Sequence, residues 1–173
     1  MAFANPWLGF ALNNAYANRT LYTAMEGMSA EDFTAPRPGF FGSLDQTLDH
    51  IYAVDLYYLD ALEGGGQGLG VFDRAPMSSR ETLASRQAEA DMRFAMFCRN
   101  LTDADLAREI DTDRPGGRVT ETVGAILPHL VQHQIHHRGQ AHVQLSHAGI
   151  TPPQLDEFFL NYDRAELAKA YFG

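Results

Sequence analysis

The sequence predicts an all-α protein built on four long helices, with a short β-hairpin before the last of them. Three observations carry this. Apolar residues recur at three- and four-residue steps through four separate blocks, Ser-x-x-Gln and Ser-x-x-Glu pairs stand ahead of two blocks, and Gly or Pro punctuates their ends. The first block opens at Pro6, whose fixed φ suits a first helical turn, and Trp7, Phe10, Leu12, Tyr16, Leu21, Tyr22 and Met25 carry it to about Met28. In the second, Ser43 and Gln46 have capping-box spacing, and Leu44, Leu48, Ile51, Asp55, Leu59 and Leu62 run to a stop at Gly64. Ser78 and Glu81 repeat the box for the third, where Leu83, Met92, Phe94, Met96 and Phe97 lead to about Asn100 and Cys98 packs within the helix. Residues 64–70, Gly-Gly-Gly-Gln-Gly-Leu-Gly, read as a flexible loop and not a phosphate cradle, since no strand and helix frame them. Arg108-Glu109-Ile110 and Arg118-Val119-Thr120 flank Pro115-Gly116-Gly117, the pattern of a polar hairpin. The fourth helix spans about Glu121 to His147, with Pro128 expected to kink it or mark its first tight turn and Gly149 placed for a left-handed cap. Pro152-Pro153 block its continuation, and Asp163 with Glu166 opens a short terminal helix to about Tyr171. Without an internal repeat or an interdomain linker, residues 1–173 are expected to form one domain.

Composition narrows the function. The 173 residues are 45% hydrophobic and carry 13 basic against 22 acidic side chains, a net charge of −9. Such a chain is long enough to bury roughly 70% of its unfolded surface. Lys169 is the only lysine, so the clustered cations that grip a phosphate backbone are absent and nucleic acid is not an expected partner. Cys98 stands alone and can form no internal disulfide. The chain has no basic residue before Arg19 and no apolar run near the ~18 residues of a membrane span. A cytoplasmic, membrane-free protein is expected.

Six of the seven histidines fall between His129 and His147. At ~100° per residue, His129, His133 and His137 form one stripe of a helix, and an i, i+4 pair can place two imidazole nitrogens on one metal ion. Neutral histidine is the commonest metal ligand. His50 lies on the second helix in line with Val54, Tyr57 and Ala61, a face expected to meet other helices. Two ligands from the fourth helix and one from the second would make a facial three-nitrogen site with a position left for water or substrate, the arrangement of a catalytic metal. Spacing alone leaves the register open, since 129/133, 133/137 and 133/136 all fit; it also leaves open that these are ordinary polar residues around one core histidine. Glu-x-x-His is absent, and His133-Gln-Ile-His-His137 lacks the glutamate of HExxH.

The run His129-Leu-Val-Gln-His133-Gln-Ile-His-His137-Arg138-Gly139-Gln140, with Gly149-Ile-Thr-Pro-Pro-Gln-Leu-Asp156 after it, resembles the DinB family of damage-inducible and YfiT-like proteins over the whole chain. The resemblance implies an antiparallel four-helix bundle, usually dimeric, with a zinc- or nickel-type ion held by His50, His133 and His137. His129 matches a position that the family often fills with histidine but does not use as a ligand. His136 takes a place that relatives often give to an aromatic residue, which leaves a fourth ligand open, and His142 and His147 are expected at the surface. Gly139 suits close helix packing. Gln140 is a candidate to hydrogen-bond a bound water or substrate, or else an interhelical amide. Tyr57 is a candidate to present its hydroxyl to the cavity, or else a core ring.

A divalent ion on three neutral histidines keeps its charge, lowers the pKa of a bound water or thiol and polarises a carbonyl. Characterised members of the broad superfamily look like transferases and isomerases that use a low-molecular-weight thiol such as bacillithiol or mycothiol. The leading expectation is therefore a metal-dependent enzyme transferring a small-molecule thiol to an electrophile. The alternatives are a metal-activated-water hydrolase and a noncatalytic metal-binding stress-response dimer. No carboxylate is assignable as a general base. A homodimer is expected because Val131 and Ile135 lie off the apolar stripe of Ile126, Leu127, Leu130 and Leu145.

Overall fold

A computed structural model describes residues 4–172. The four long helices are α1 (Pro6–Ala24), α3 (Leu44–Glu63), α4 (Arg80–Arg99) and α6 (Val123–His147). Between them lie the short α2 (Ala30–Thr34) and α5 (Asp103–Leu106), and a hairpin of β1 (Glu109–Arg114) and β2 (Gly117–Thr122). The terminal α7 (Glu166–Lys169) is followed by a 3-10 turn over Ala170–Phe172. The expected helical bundle with a small hairpin is what forms.

Contacts run α1 to α4, α4 to α3, α3 to α6 and α6 to α1, closing a ring. Two of these pairs are antiparallel. Asn5 meets Cys98 and Arg80 meets Met25 across α1 and α4, and Thr47 meets Gln144 while Asp55 meets Gln134 across α3 and α6. By contrast α3 and α4 run the same way, with Asp55 opposite Gln87 and Glu63 opposite Arg93. A 20-residue helix is ~30 Å long, so the chain needs a long return after α3, and residues 64–79 provide it. Within it Gly68–Asp73 form a 3-10 turn. Buried Asp60 anchors it by accepting from the backbone N–H groups of Gln67 at 2.9 Å and Gly68 at 3.0 Å. The glycine-rich stretch therefore has a definite shape where a flexible loop was expected.

Helix ends differ in detail from the sequence expectations. Asn5 caps α1 by accepting from Trp7 and Leu8, and the helix ends at Ala24, not near Met28. The Ser43/Gln46 box does not close: the Ser43 hydroxyl donates to Asp45, and Gln46 reaches back to the N–H of Gly42. The second box shifts by one residue, because Ser79 and not Ser78 caps α4 at the N–H of Thr82. Thr122 caps α6 at Ala125, Pro128 lies inside that continuous helix, and Gly149 takes the expected left-handed φ of 74°. Asp163 has a φ of 51° outside α7, so Ala165, not Asp163, precedes the terminal helix.

The core is built from Leu21, Met25, Leu48, Ile51, Leu59, Leu83, Phe94, Leu127 and Leu145, each essentially sealed from solvent. A smaller cluster of Tyr16, Ala17, Phe158 and Ala168 seats the C-terminal segment on α1. No helix among the described residues is long and apolar enough to cross a membrane.

Candidate metal centre

His50 enters from α3, while His133 and His137 lie one turn apart on α6. Because α3 and α6 are antiparallel, His50 faces both. One ring nitrogen of each lies within 4.8 Å of the others, and the ring centroids are 4.3 Å (133 to 137), 4.6 Å (50 to 137) and 5.1 Å (50 to 133) apart. Nε2 of His50 is 3.1 Å from Nε2 of His133. Two nitrogens each about 2.0–2.1 Å from a tetrahedral ion stand about 3.3 Å apart, so this spacing fits a zinc-like cation.

The electrostatics favour neutral rings. Burial, then the neighbouring His137, pushes His50 down to about 4, against a small upward pull from Asp49. His133 falls to about 3 through burial and the charges that His137 and His50 would carry. Burial also lowers His137, partly offset by Gln140. Three like groups that resist protonation, with no carboxylate among them, bring ring nitrogens together as a set that could hold a metal ion. The buried Nδ1 of His133 has no hydrogen-bond partner. Among the described residues no fourth His, Cys, Asp or Glu joins the group.

Gln140 is placed to orient a ring. Its Oε1 is 2.9 Å from Nδ1 of His137, and its Nε2 is 3.1 Å from Nε2 of His136. The first contact leaves Nε2 of His137 free for the triad and steadies the ring, as groups behind metal ligands do. Phe41 covers the cluster, its centroid 4.5 Å from His50 and 5.6 Å from His137. The fully buried Gln144 holds that cover by donating to the Phe41 carbonyl at 2.9 Å and accepting from Thr47 at 2.8 Å.

The remaining candidates fall elsewhere. Tyr57 is buried, its hydroxyl donates to the Asp113 carbonyl and its ring packs against Tyr58 and Phe72, so the hydroxyl is engaged away from the triad. His129 is exposed, edge-on to Tyr58 at 5.1 Å, and His136 is exposed beside Gln140. His147 is at the surface, but His142 is half-buried, with Nε2 sealed off and its pKa lowered by burial and then by Arg138. Gly139 is exposed, and a Cβ there would meet nothing within 4 Å, so it admits no close packing among the described residues. Two hollows flank the triad, with Phe72 in the wall of both. One of about 330 Å³ lies beside His50, Phe41 and Met77. The other, about 420 Å³, lies beside His133, His129 and Arg114.

Sequence reasoning missed a second polar cluster that ties the same helices together. Arg138 is buried and donates to Asn14, to Asn18 at 3.0 Å and to Gln134 at 2.9 Å. Asn14 and Asn18 donate to Asp91 at 3.0 and 2.9 Å, and Gln87 donates to Asp55 at 2.6 Å and Asp91 at 3.1 Å. Gln134 donates to Asp55 as well. Burial, then the charge of Asp91, lifts Asp55 to about 7; burial lifts Asp91 to about 6 against its hydrogen bonds, and it lowers Arg138 to about 10. The available signal was Asp55 at an apolar position of its stripe and Arg138 in the turn between core residues.

Fold and site together define a helical-bundle protein with a three-histidine candidate metal centre. The family model for the DinB family matches residues 4–166, and the chain belongs to that family. Protein DinB of Bacillus subtilis is 24% identical over 152 residues, covering 83% of this chain and 86% of that protein. A solved DinB-like protein from Bacillus cereus superimposes with a TM-score of 0.62 at 23% identity, covering 80% of this chain and 90% of that one. A second, from Bacillus subtilis, gives 0.64 at 20% identity, covering 87% and 98%. These likenesses support the fold.

Proposed function

We propose that this chain is a metal-dependent enzyme that activates a small-molecule thiol for transfer to an electrophile, with His50, His133 and His137 holding a divalent zinc or nickel ion. The observation that carries this is the convergence of three ring nitrogens within 4.8 Å, with no fourth protein ligand among the described residues and a hollow on either side. A bound ion would lower the pKa of the thiol and so supply a thiolate at neutral pH. The thiol gives its proton to solvent and the sulfur lone pair forms the new S–C bond. In a substitution the leaving group departs with its electron pair; in an addition the neighbouring carbon takes up a proton. Gln140 fixes the His137 ring, and Phe41 limits water over His50 and His137. The nearby carboxylates are engaged: Asp49 pairs with Arg74 at 2.8 Å and Asp45 accepts from Ser43. The ionisation of the nucleophile is therefore left to the metal.

A cytoplasmic homodimer completes the proposal. Ile135 and Val143 are 57% and 52% exposed on α6, apolar surface that a second copy would cover. The decisive experiment pairs metal analysis of the purified protein with a screen of low-molecular-weight thiols against electrophiles. The expected result is about one zinc or nickel per chain and thiol-dependent conjugation that His137→Ala abolishes. Ester turnover without thiol would move the assignment to a hydrolase, and bound metal without any turnover to a noncatalytic metal-binding protein. A monomer by light scattering at micromolar concentration would remove the dimer.

A further inference from the structure

Arg114, at the end of β1, is the cation that the metal-centre reading leaves unused. Its guanidinium lies 5.6 Å from the ring centres of both Tyr57 and Tyr58 and donates to the Tyr58 hydroxyl at 3.2 Å. No carboxylate among the described residues comes within ion-pair distance of it. Asp113 next to it pairs with Arg118 at 3.4 Å, and Glu121, which shares a neighbouring hollow with Arg114 and His129, does not reach it. Two stacking rings and a hydroxyl hold the side chain in one place, so little entropy is lost when its remaining N–H groups take a ligand.

Arg114 lines the 420 Å³ hollow that His133 also lines, with Leu69, Phe72 and Pro115 as apolar wall. That volume falls in the range of small-ligand pockets, which pair an apolar lining with a few fixed polar groups. We propose that this hollow is a substrate subsite selective for small molecules bearing one carboxylate, with Arg114 as its anchor and the apolar part of the ligand lying toward His133. A single carboxylate fits better than a phosphate. One guanidinium answers one negative charge, and a dianion would face the field of Asp113 and Glu121 in a chain of net charge −9.

The proposal rests on the metal-dependent reading for its meaning, but its test does not. On metal-free protein, binding of 3-phenylpropionate and of its neutral isostere 3-phenylpropanol is measured by titration calorimetry for wild type, Arg114→Gln, Arg114→Lys and His137→Ala. The acid is expected to bind wild type and His137→Ala about tenfold more tightly than the alcohol. Arg114→Gln should lose the preference while its affinity for the alcohol stays unchanged, and Arg114→Lys should keep part of it, because an ammonium lacks the planar fork. Equal binding of acid and alcohol by wild type, retention of the preference by Arg114→Gln, failure of the acid to bind at millimolar concentration, or stronger binding of inorganic phosphate would each overturn the subsite. On cobalt-loaded protein the same contrast is read with 3-mercaptopropionate and 3-mercaptopropanol through the thiolate-to-cobalt absorption. If that band is absent while the calorimetric preference persists, the thiol reading fails and the subsite stands.

Discussion

Two polar clusters share α3 and α6, and they are built on opposite principles. His50, His133 and His137 are three copies of one group, each with a lone pair and none with a charge to offer the others. The Asp55, Gln87, Asp91, Gln134 and Arg138 cluster, with Asn14 and Asn18, mixes donors, acceptors and both signs of charge in one sealed space. The second answers its own needs from four helices, apart from one donor: Asp55 Oδ1 and Gln87 Oε1 are both left without a partner. A proton on Asp55 would supply it, in line with a carboxyl pushed to about 7. The first cluster lacks a cation. Complementarity inside the chain marks a cluster that holds the bundle together, and its absence marks one that faces a ligand.

The largest expected effect falls on the self-sufficient cluster. Arg138→Met strips the donor from the buried amide oxygens of Asn14, Asn18 and Gln134, and each buried acceptor left without a partner costs about 1–3 kcal/mol; urea unfolding of the metal-free protein measures the sum, and a loss under about 1 kcal/mol would mean the cluster does not bind the helices together. His137→Ala is next. Metal content should collapse while helical circular dichroism and the urea midpoint stay near wild type, because the apolar core is separate from the triad. Gln140→Ala keeps all three ligands but frees the His137 ring, so metal affinity should drop about 10- to 100-fold by competition with a chelator.

The two clusters also bend stability in opposite directions with pH. The histidines have folded-state pKa values below their unfolded ones, so the unfolded chain binds more protons and stability falls as pH drops from about 6.5 toward about 3. Asp55 is raised, so the folded chain holds the extra proton, and its contribution falls as pH rises from about 4 to about 7. Asp55→Asn, which supplies the missing donor without a charge, should therefore change stability at pH 5 by less than about 1 kcal/mol and flatten the decline above it. A large loss at pH 5 would show that the ionised carboxylate is what the cluster needs. With all three triad histidines shifted downward by burial, metal should stay bound to a lower pH than imidazoles of ordinary pKa near 6.5 would allow. The smallest effect belongs to His129→Ala, which should keep its metal; loss there with retention in His137→Ala would reverse the register.

The contrast explains what was readable in the sequence. The helical period alone shows that His133 and His137 can meet, because they sit on one element one turn apart. Choosing 133/137 over 129/133 needed the family resemblance, since the two pairs have identical spacing. The buried cluster was hidden because Gln87 and Asp91 are polar residues among the apolar positions of α4, and the rest of the cluster, Asn14, Asn18, Asp55 and Arg138, lies on other helices, up to 124 positions apart for Arg138 and Asn14. Helix ends were legible to within a few residues, but the direction of α4 relative to α3 was not, because periodicity fixes a helix and says nothing of which neighbour it runs beside.

That shared direction of α3 and α4 has a kinetic consequence. His50 and His133 are 83 residues apart, and the intervening chain must return along the bundle through residues 64–79, lay α4 beside α3 and place the hairpin before α6 can dock on α3. His133 and His137 meet as soon as α6 has turned, a submicrosecond event in isolated helices, whereas His50 joins them only after that long loop has closed. An ion present during refolding would be caught first by the two-histidine half-site on α6 and become fully ligated last. Its spectrum would then time separately the birth of one helix and the final closure of the bundle.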